Sequence, residues 1–344
     1  MRRAPCYGHR DTGLIEIWTD DAPGERRAAL VVNNEIVEIH IQRDLHPILG
    51  MVGAGRIDRQ TPTGSYVIGD NGFEVLVRAN TGKTDGAPIL FQITRESIAE
   101  PGRLKPAEGR EILDALPMTD VNSLWADRLQ NLDISGAAPI IKPFGESFDS
   151  AMAGSSRIGD VTVHFQRTKA GLVFDVDGIG DPFAINAVAA REIARLLRLY
   201  QIGGMAIVDF VAVDSKSRRQ DIADIFDAAS VPDGRAFERS AINGFGLMQI
   251  VRSRPRPSVL DQLFGARIGA LSDETQALWL YRDVARSSGF GPRIVTTSEN
   301  IASLMLSSKW QELRTECERI TGAAMSIVVE RGMTGYGHVH VAQS

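Results

Sequence analysis

Alternating apolar and polar positions predict three strands between residues 13 and 42: GLIEIWT, AALVVNN and EIVEIHI, with Asn33-Asn34 turning a hairpin between the last two. Three strands bury too little to fold alone, so residues 1–46 must pack on later parts of the chain. Short β-rich runs separated by Gly- and Pro-containing turns continue over 47–106, the pattern of a small OB-type barrel. Prolines, glycines and serines then dominate 107–158, which reads as a connector with one short helix near Glu111–Leu116. The pattern changes again at 159–268. VTVHFQR and LVFDVDG form a strand pair, and Ile185, Val188, Ala189, Ile193, Leu196, Leu197 and Tyr200 recur at helical spacing. Gly203-Gly204 stops that helix, and IGGMAIVDFVAV supplies the next strand. A helix over about Asp221–Ser230 and an apolar strand, Phe245–Val251, follow. Residues 269–344 read as a small α+β unit of two helical stretches and two β-like runs, with His338 and His340 alternating on the last of them as surface histidines. The predicted class is α/β, with a barrel inserted between strands and the main sheet.

The strand–helix–strand unit around residues 172–209 is where chemistry concentrates. Each strand ends on an aspartate, Asp175 (with Asp177 beside it) and Asp209. A helical crossover favours parallel strands, which brings both carboxylates to one sheet edge. There they either cap the following turns or hold a hard divalent cation such as Mg2+. Further on, Arg252, Arg254 and Arg256 are spaced two apart, so an extended chain would present them on one face as a phosphate-binding row or a solvated charge run. In the barrel, Tyr66 and Phe73 are either core aromatics or stacking platforms, with Arg56, Arg95, Arg103 and Lys105 as candidate phosphate contacts.

Composition narrows these choices. With 344 residues, 43% hydrophobic and 24% charged, the chain suits a globular protein of two or three domains. A net charge of -5 means that any polyanion must be held by local basic patches. Two distant cysteines, Cys6 and Cys317, exclude a disulfide framework and a Cys-rich zinc site. No stretch is long and apolar enough to span a bilayer, and the expected location is the cytoplasm.

FDVDG, an N-x-x-A-x-x-E-I-A-R-x-L-R-L helix from Asn186, GGMAIVDF and FGLMQIVRSRPRPS, in that order, resemble the core of the bacterial ribonuclease E/G family. The resemblance implies ribonuclease-H-like first strands, an OB-type RNA-binding barrel and a deoxyribonuclease-I-like catalytic domain. It implies an endoribonuclease that cleaves single-stranded RNA with one Mg2+ (Mn2+ as substitute) held by Asp175 and Asp209, with Asp177 where the family has an asparagine. It also implies RNA contacts at Tyr66, Phe73, Arg95, Lys105, Arg252 and Arg254. Departures are visible too. Ala212 replaces an acid, Gln249 replaces a glutamate, and the loop after Asp175 is short. No domain reading the RNA 5′ end and no paired-Cys zinc link is recognisable, so a monomer or zinc-independent dimer without structural zinc is expected. These departures leave a non-catalytic RNA-binding protein of the same fold as the alternative.

Overall fold

The computed structural model describes residues 14–78, 82–113, 121–132 and 138–342. Strands β1 (Ile15–Thr19), β2 (Glu25–Val32) and β3 (Glu35–Arg43) form an antiparallel meander. Asn33 and Asn34 both take positive φ at its second turn, the geometry that asparagine tolerates best after glycine. The next four strands, β4 (Val52–Thr61), β5 (Gly64–Gly69), β6 (Glu74–Val77) and β7 (Pro88–Arg95), belong to a closed five-stranded barrel. A small hairpin, β8 (Ile98–Glu100) and β9 (Arg103–Lys105), precedes β10 (Ala107–Glu111). β10 closes the barrel by pairing parallel with β6 and antiparallel with β7, an arrangement consistent with an OB-like domain.

Two expectations for the connector are corrected. Its first residues, AEGRE, are the closing barrel strand. The short helix expected near Glu111–Leu116 does not begin where predicted, because Glu111 ends that strand; residues 114–116 lie outside the described residues. A twelve-residue helix that the pattern did not announce, α1 (Val121–Leu132), follows instead. It packs Trp125 and Leu132 on Ile17, Ala28 and Leu30 of the first sheet. Beyond it, β11 (Ile140–Ile141) adds to β1 in parallel.

After a short helix, α2 (Asp149–Ala153), comes the main sheet. Its strands are β12 (Ser155–Ile158), β13 (Val161–Arg167), β14 (Leu172–Gly178), β15 (Gly204–Asp209), β16 (Phe237–Arg239) and β17 (Leu247–Arg252), ordered β12-β13-β14-β15-β17-β16. The crossover between β14 and β15 is α3 (Pro182–Leu199), started by Asp181, whose carboxylate accepts from the Ala184 amide, and by Pro182 in the first turn. The helix is stopped by Gln201 in a left-handed conformation, not by the glycine pair. Gly203 serves close approach: a Cβ there would lie 2.6 Å from the Ser253 carbonyl. Helix α4 (Lys216–Ser230) starts five residues earlier than expected because Ser215 caps it, which places Lys216, Arg218 and Arg219 in its first turn.

Helices α3 and α4 cover one face of the main sheet, and the far side of α3 packs on β3. The layers therefore run α1, first sheet, α3, main sheet. On the opposite face of the main sheet, among the described residues, Asp175, Asp177, Asp209 and Gln249 are exposed. Helix α5 (Val259–Phe264) leads to a C-terminal unit of α6 (Asp273–Arg286), β18 (Arg293–Thr297), α7 (Glu299–Leu306), α8 (Gln311–Thr321), β19 (Met325–Val329) and β20 (His338–Val341), with its own core around Tyr281 and Trp310. Buried ion pairs of Arg282 with Asp20 and Glu25 tie that unit to the first sheet, where Arg43 and Arg27 pair with the same Glu25. Among the described residues no helix is long and apolar enough to cross a membrane.

Candidate active site and nucleic-acid interface

Alternation along β14 sends Leu172, Phe174 and Val176 into the core and Asp175 and Asp177 outward. On β15, Ala206 and Val208 point in while Asp209 points out. The two strands are parallel, and their register makes Asp175 and Asp209 direct partners. Strand spacing therefore sets the two carboxylates side by side on the face opposite the helices, roughly 5 Å apart at the backbone. Neither acts as a helix cap. Asp181 caps α3 and Ser215 caps α4, and no described residue hydrogen-bonds or ion-pairs with the carboxylate of Asp175 or Asp209. Two like charges held together and left unneutralised are an arrangement that folding alone does not favour.

Asp177 is not brought into this pair. It lies two residues further along β14, past the end of β15, and its carboxylate is 3.5 Å from His164 Nε2. Among the described residues no group of three or more His, Cys, Asp or Glu side chains could hold a metal ion. Two hard carboxylate oxygens on neighbouring strands still fit Mg2+, which commonly takes one or two carboxylates and keeps several waters.

Asp209 is held from behind. Asn186, fully buried on α3, accepts from the Val211 amide at 3.0 Å and donates to the Val211 carbonyl at 2.7 Å. One residue earlier, the Phe210 amide donates to the Gly246 carbonyl at 3.1 Å. Gly246 is required there, since a Cβ would lie 2.3 Å from the Phe210 carbonyl and its φ is +91°. Both anchors fix the chain just beyond the strand end.

The three arginines at the end of β17 and beyond it, Arg252, Arg254 and Arg256, do not share a face. Arg252 alternates inward with Met248 and Ile250; it is 5% exposed and ion-paired with Asp233. Burial pushes its guanidinium below the usual range, with Asp233 opposing. The assignment of Arg252 as an RNA contact is thus corrected: reaching phosphate would require breaking a buried pair. Arg254 pairs with Glu100 at 2.9 Å and Asp261 at 2.8 Å, and Arg256 with Glu96 at 3.3 Å. Glu96 and Glu100 belong to the barrel side, so this arginine run fastens the barrel to the main sheet.

On the barrel, Tyr66 faces outward between the buried Ser65 and Val67, and the Arg59 guanidinium lies 3.9 Å from its ring centre. Arg59, unmarked by the sequence reading, stands opposite Tyr66 in the β4–β5 register, just past an irregularity between Ile57 and Arg59 that breaks the two-residue alternation. Phe73 instead packs against the barrel core. Arg95 is bound to Glu108 at 2.9 Å and to the Pro106 carbonyl, and Lys105 to Glu100 at 2.7 Å.

Residues 180–255 match the family described as Ribonuclease E/G, a span that includes Asn186 and Asp209 and excludes Asp175. The chain is 39% identical over 75 residues to the chloroplastic ribonuclease E/G-like protein of Arabidopsis thaliana, covering 22% of this chain and 8% of the relative. It is 35% identical over 74 residues to ribonuclease E of Haemophilus influenzae, with the same 22% and 8% coverage. With ribonuclease G of Salmonella typhimurium the identity is 35% over 80 residues, 22% of this chain and 16% of that protein. The matched region thus spans a small part of each of these relatives.

Proposed function

We propose, from the match of residues 180–255 to the family described as Ribonuclease E/G, that the chain is an Mg2+-dependent endoribonuclease acting on single-stranded RNA. The observation that carries this reading is the register of Asp175 and Asp209, two outward carboxylates paired across parallel strands without a neutralising partner. Asp175 and Asp209 would hold the cation, which when bound acidifies water and neutralises charge on a phosphodiester. Asn186 and Gly246 keep Asp209 at its station, so the carboxylate pair exists before substrate arrives. Tyr66, with Arg59 over its ring, offers a base a stacking surface beside positive charge. With both side chains exposed, an unpaired strand has room to lie across both aspartates.

A second reading, RNA binding without cleavage, has specific support. Ala212 and Gln249 occupy positions where the family resemblance implies acids, and Asp177 stands apart from the carboxylate pair. The deciding experiment is incubation of the purified protein with end-labelled single-stranded RNA, in Mg2+ and in EDTA, beside Asp175→Asn and Asp209→Asn. Internal cuts that need Mg2+ and vanish in both variants support the enzyme. Stable RNA binding with no cuts in any lane supports the second reading.

A further inference from the structure

At the amino-terminal ends of β14 and β15, away from Asp175 and Asp209, lies a cleft of about 380 Å3 between the β8–β9 hairpin, the β13–β14 turn and the segment carrying Arg254. Its charged lining is one-sided. Arg95, Arg103, Lys105, Arg167, Lys169 and Arg254 face two carboxylates, Glu100 and Asp261. Those two are already shared: Glu100 accepts from Arg103, Lys105 and Arg254, and Asp261 from Arg167 and Arg254, while Arg95 is paired outside the cleft with Glu108.

The surplus charge is matched by unmet hydrogen-bonding capacity. Nε of Arg95, Nη1 of Arg167 and Nε of Arg254 are each buried without a hydrogen-bond partner. A buried N–H left unpaired costs about 1–3 kcal/mol and more on a charged group, and nearby negative charge would offset part of that cost. Arg167 is the firmest of them. Its side chain is 9% exposed, and Nη2 is fixed to the carbonyls of Ala99 and Gly265 at 2.6 and 2.8 Å. Burial depresses the pKa of both Arg95 and Arg167, with Glu108 and Asp261 opposing it.

We propose that this cleft is a phosphate-binding site, in which the half-buried guanidinium groups of Arg95, Arg167 and Arg254 line the floor with positive charge and Lys169 and Arg103 supply charge at its rim. Guanidinium forks match phosphate geometry. The phosphate is either an internal one of a bound RNA strand, which rests on the function proposed above, or that of a free small molecule. Leu172 lines the cleft and Asp175 follows three residues along β14, about 10 Å away, so one strand of RNA could touch both places.

The test uses the full-length protein and Lys169→Glu, a substitution at an exposed residue outside the buried pairs. Inorganic phosphate is titrated by calorimetry, with sulfate and chloride as controls, and a 5′-hydroxyl single-stranded RNA by fluorescence anisotropy in EDTA, where nothing is cut. The expected result is saturable one-to-one phosphate binding that Lys169→Glu weakens at least tenfold. A parallel loss of RNA affinity assigns the site to an RNA phosphate; unchanged RNA affinity assigns it to a small molecule. Absence of saturable phosphate binding together with unchanged RNA affinity in the variant overturns the proposal. Neither measurement depends on cleavage, so a protein that binds phosphate without cutting RNA refutes the proposed enzyme and leaves this site standing.

Discussion

Asn186 and Val211 are joined by two hydrogen bonds, the carboxamide oxygen accepting from the Val211 amide and its nitrogen donating to the Val211 carbonyl. This clasp ties the buried face of α3 to the chain two residues beyond Asp209. Asn186→Ala removes both bonds and leaves a peptide group unsatisfied, a cost of about 1–3 kcal/mol for each orphaned group. The expected result is a lower urea midpoint with an unchanged slope, and a cleavage rate that falls further than the residual folded fraction explains. A variant as stable as the parent would mean that the clasp contributes nothing.

Asp175 and Asp209 should behave differently from Asn186. Both side chains are exposed and lack partners, so Asp175→Asn and Asp209→Asn leave the core intact. Each also removes one member of a like-charged pair. Without Mg2+ the melting temperature is expected to hold or rise slightly, while Mg2+ no longer protects against melting and cleavage is lost. Circular dichroism melts with and without Mg2+ measure this. A variant that melts well below the parent would show the carboxylate to be structural.

Arg252 and Tyr66 separate stability from RNA binding. Arg252→Ala abandons Asp233 in a buried site, which costs about 3–5 kcal/mol and should leave RNA affinity of the folded protein unchanged. Tyr66→Ala should do the reverse, weakening single-stranded RNA by about 1–3 kcal/mol with little effect on folding. Urea titration and RNA anisotropy on both proteins distinguish the outcomes, and an exchange of the two phenotypes would invert the assignment.

Acid should loosen the join between the first sheet and the C-terminal unit. Burial alone would raise Glu25, but Arg27, Arg43 and Arg282 outweigh it and hold the carboxyl at about 2. Glu274, paired with His46 and Arg43, is also held at about 2. Both folded values lie below the unfolded value near 4.5. Their stabilisation is therefore complete above that pH and disappears as pH falls toward 2. For Glu25 it amounts to roughly 3 kcal/mol. Melting temperature is expected to drop steeply between pH 4.5 and 3; a flat profile there would contradict the ion-pair account.

Patterning between near neighbours in the chain was enough for the local elements and for the pairing of the two carboxylates. Period-two alternation marked LVFDVDG and MAIVDF, helical spacing marked α3, and the crossover rule put Asp175 and Asp209 at one edge, because these signals arise between near neighbours in the chain. Signals that depend on distant partners were decided only by the tertiary structure. AEGRE carries no apolar alternation and becomes a barrel strand because β6 and β7 each leave it an unpaired edge. Arg254 looked like a phosphate contact in a row of three, yet Glu100, 154 residues away, turns it back to the barrel. Arg252 continues the strand's alternation, and whether its inward face met solvent or Asp233 depended on a short 3-10 turn nineteen residues earlier. A charge advertises itself in sequence, but its desolvation and its counter-charge are properties of the folded packing.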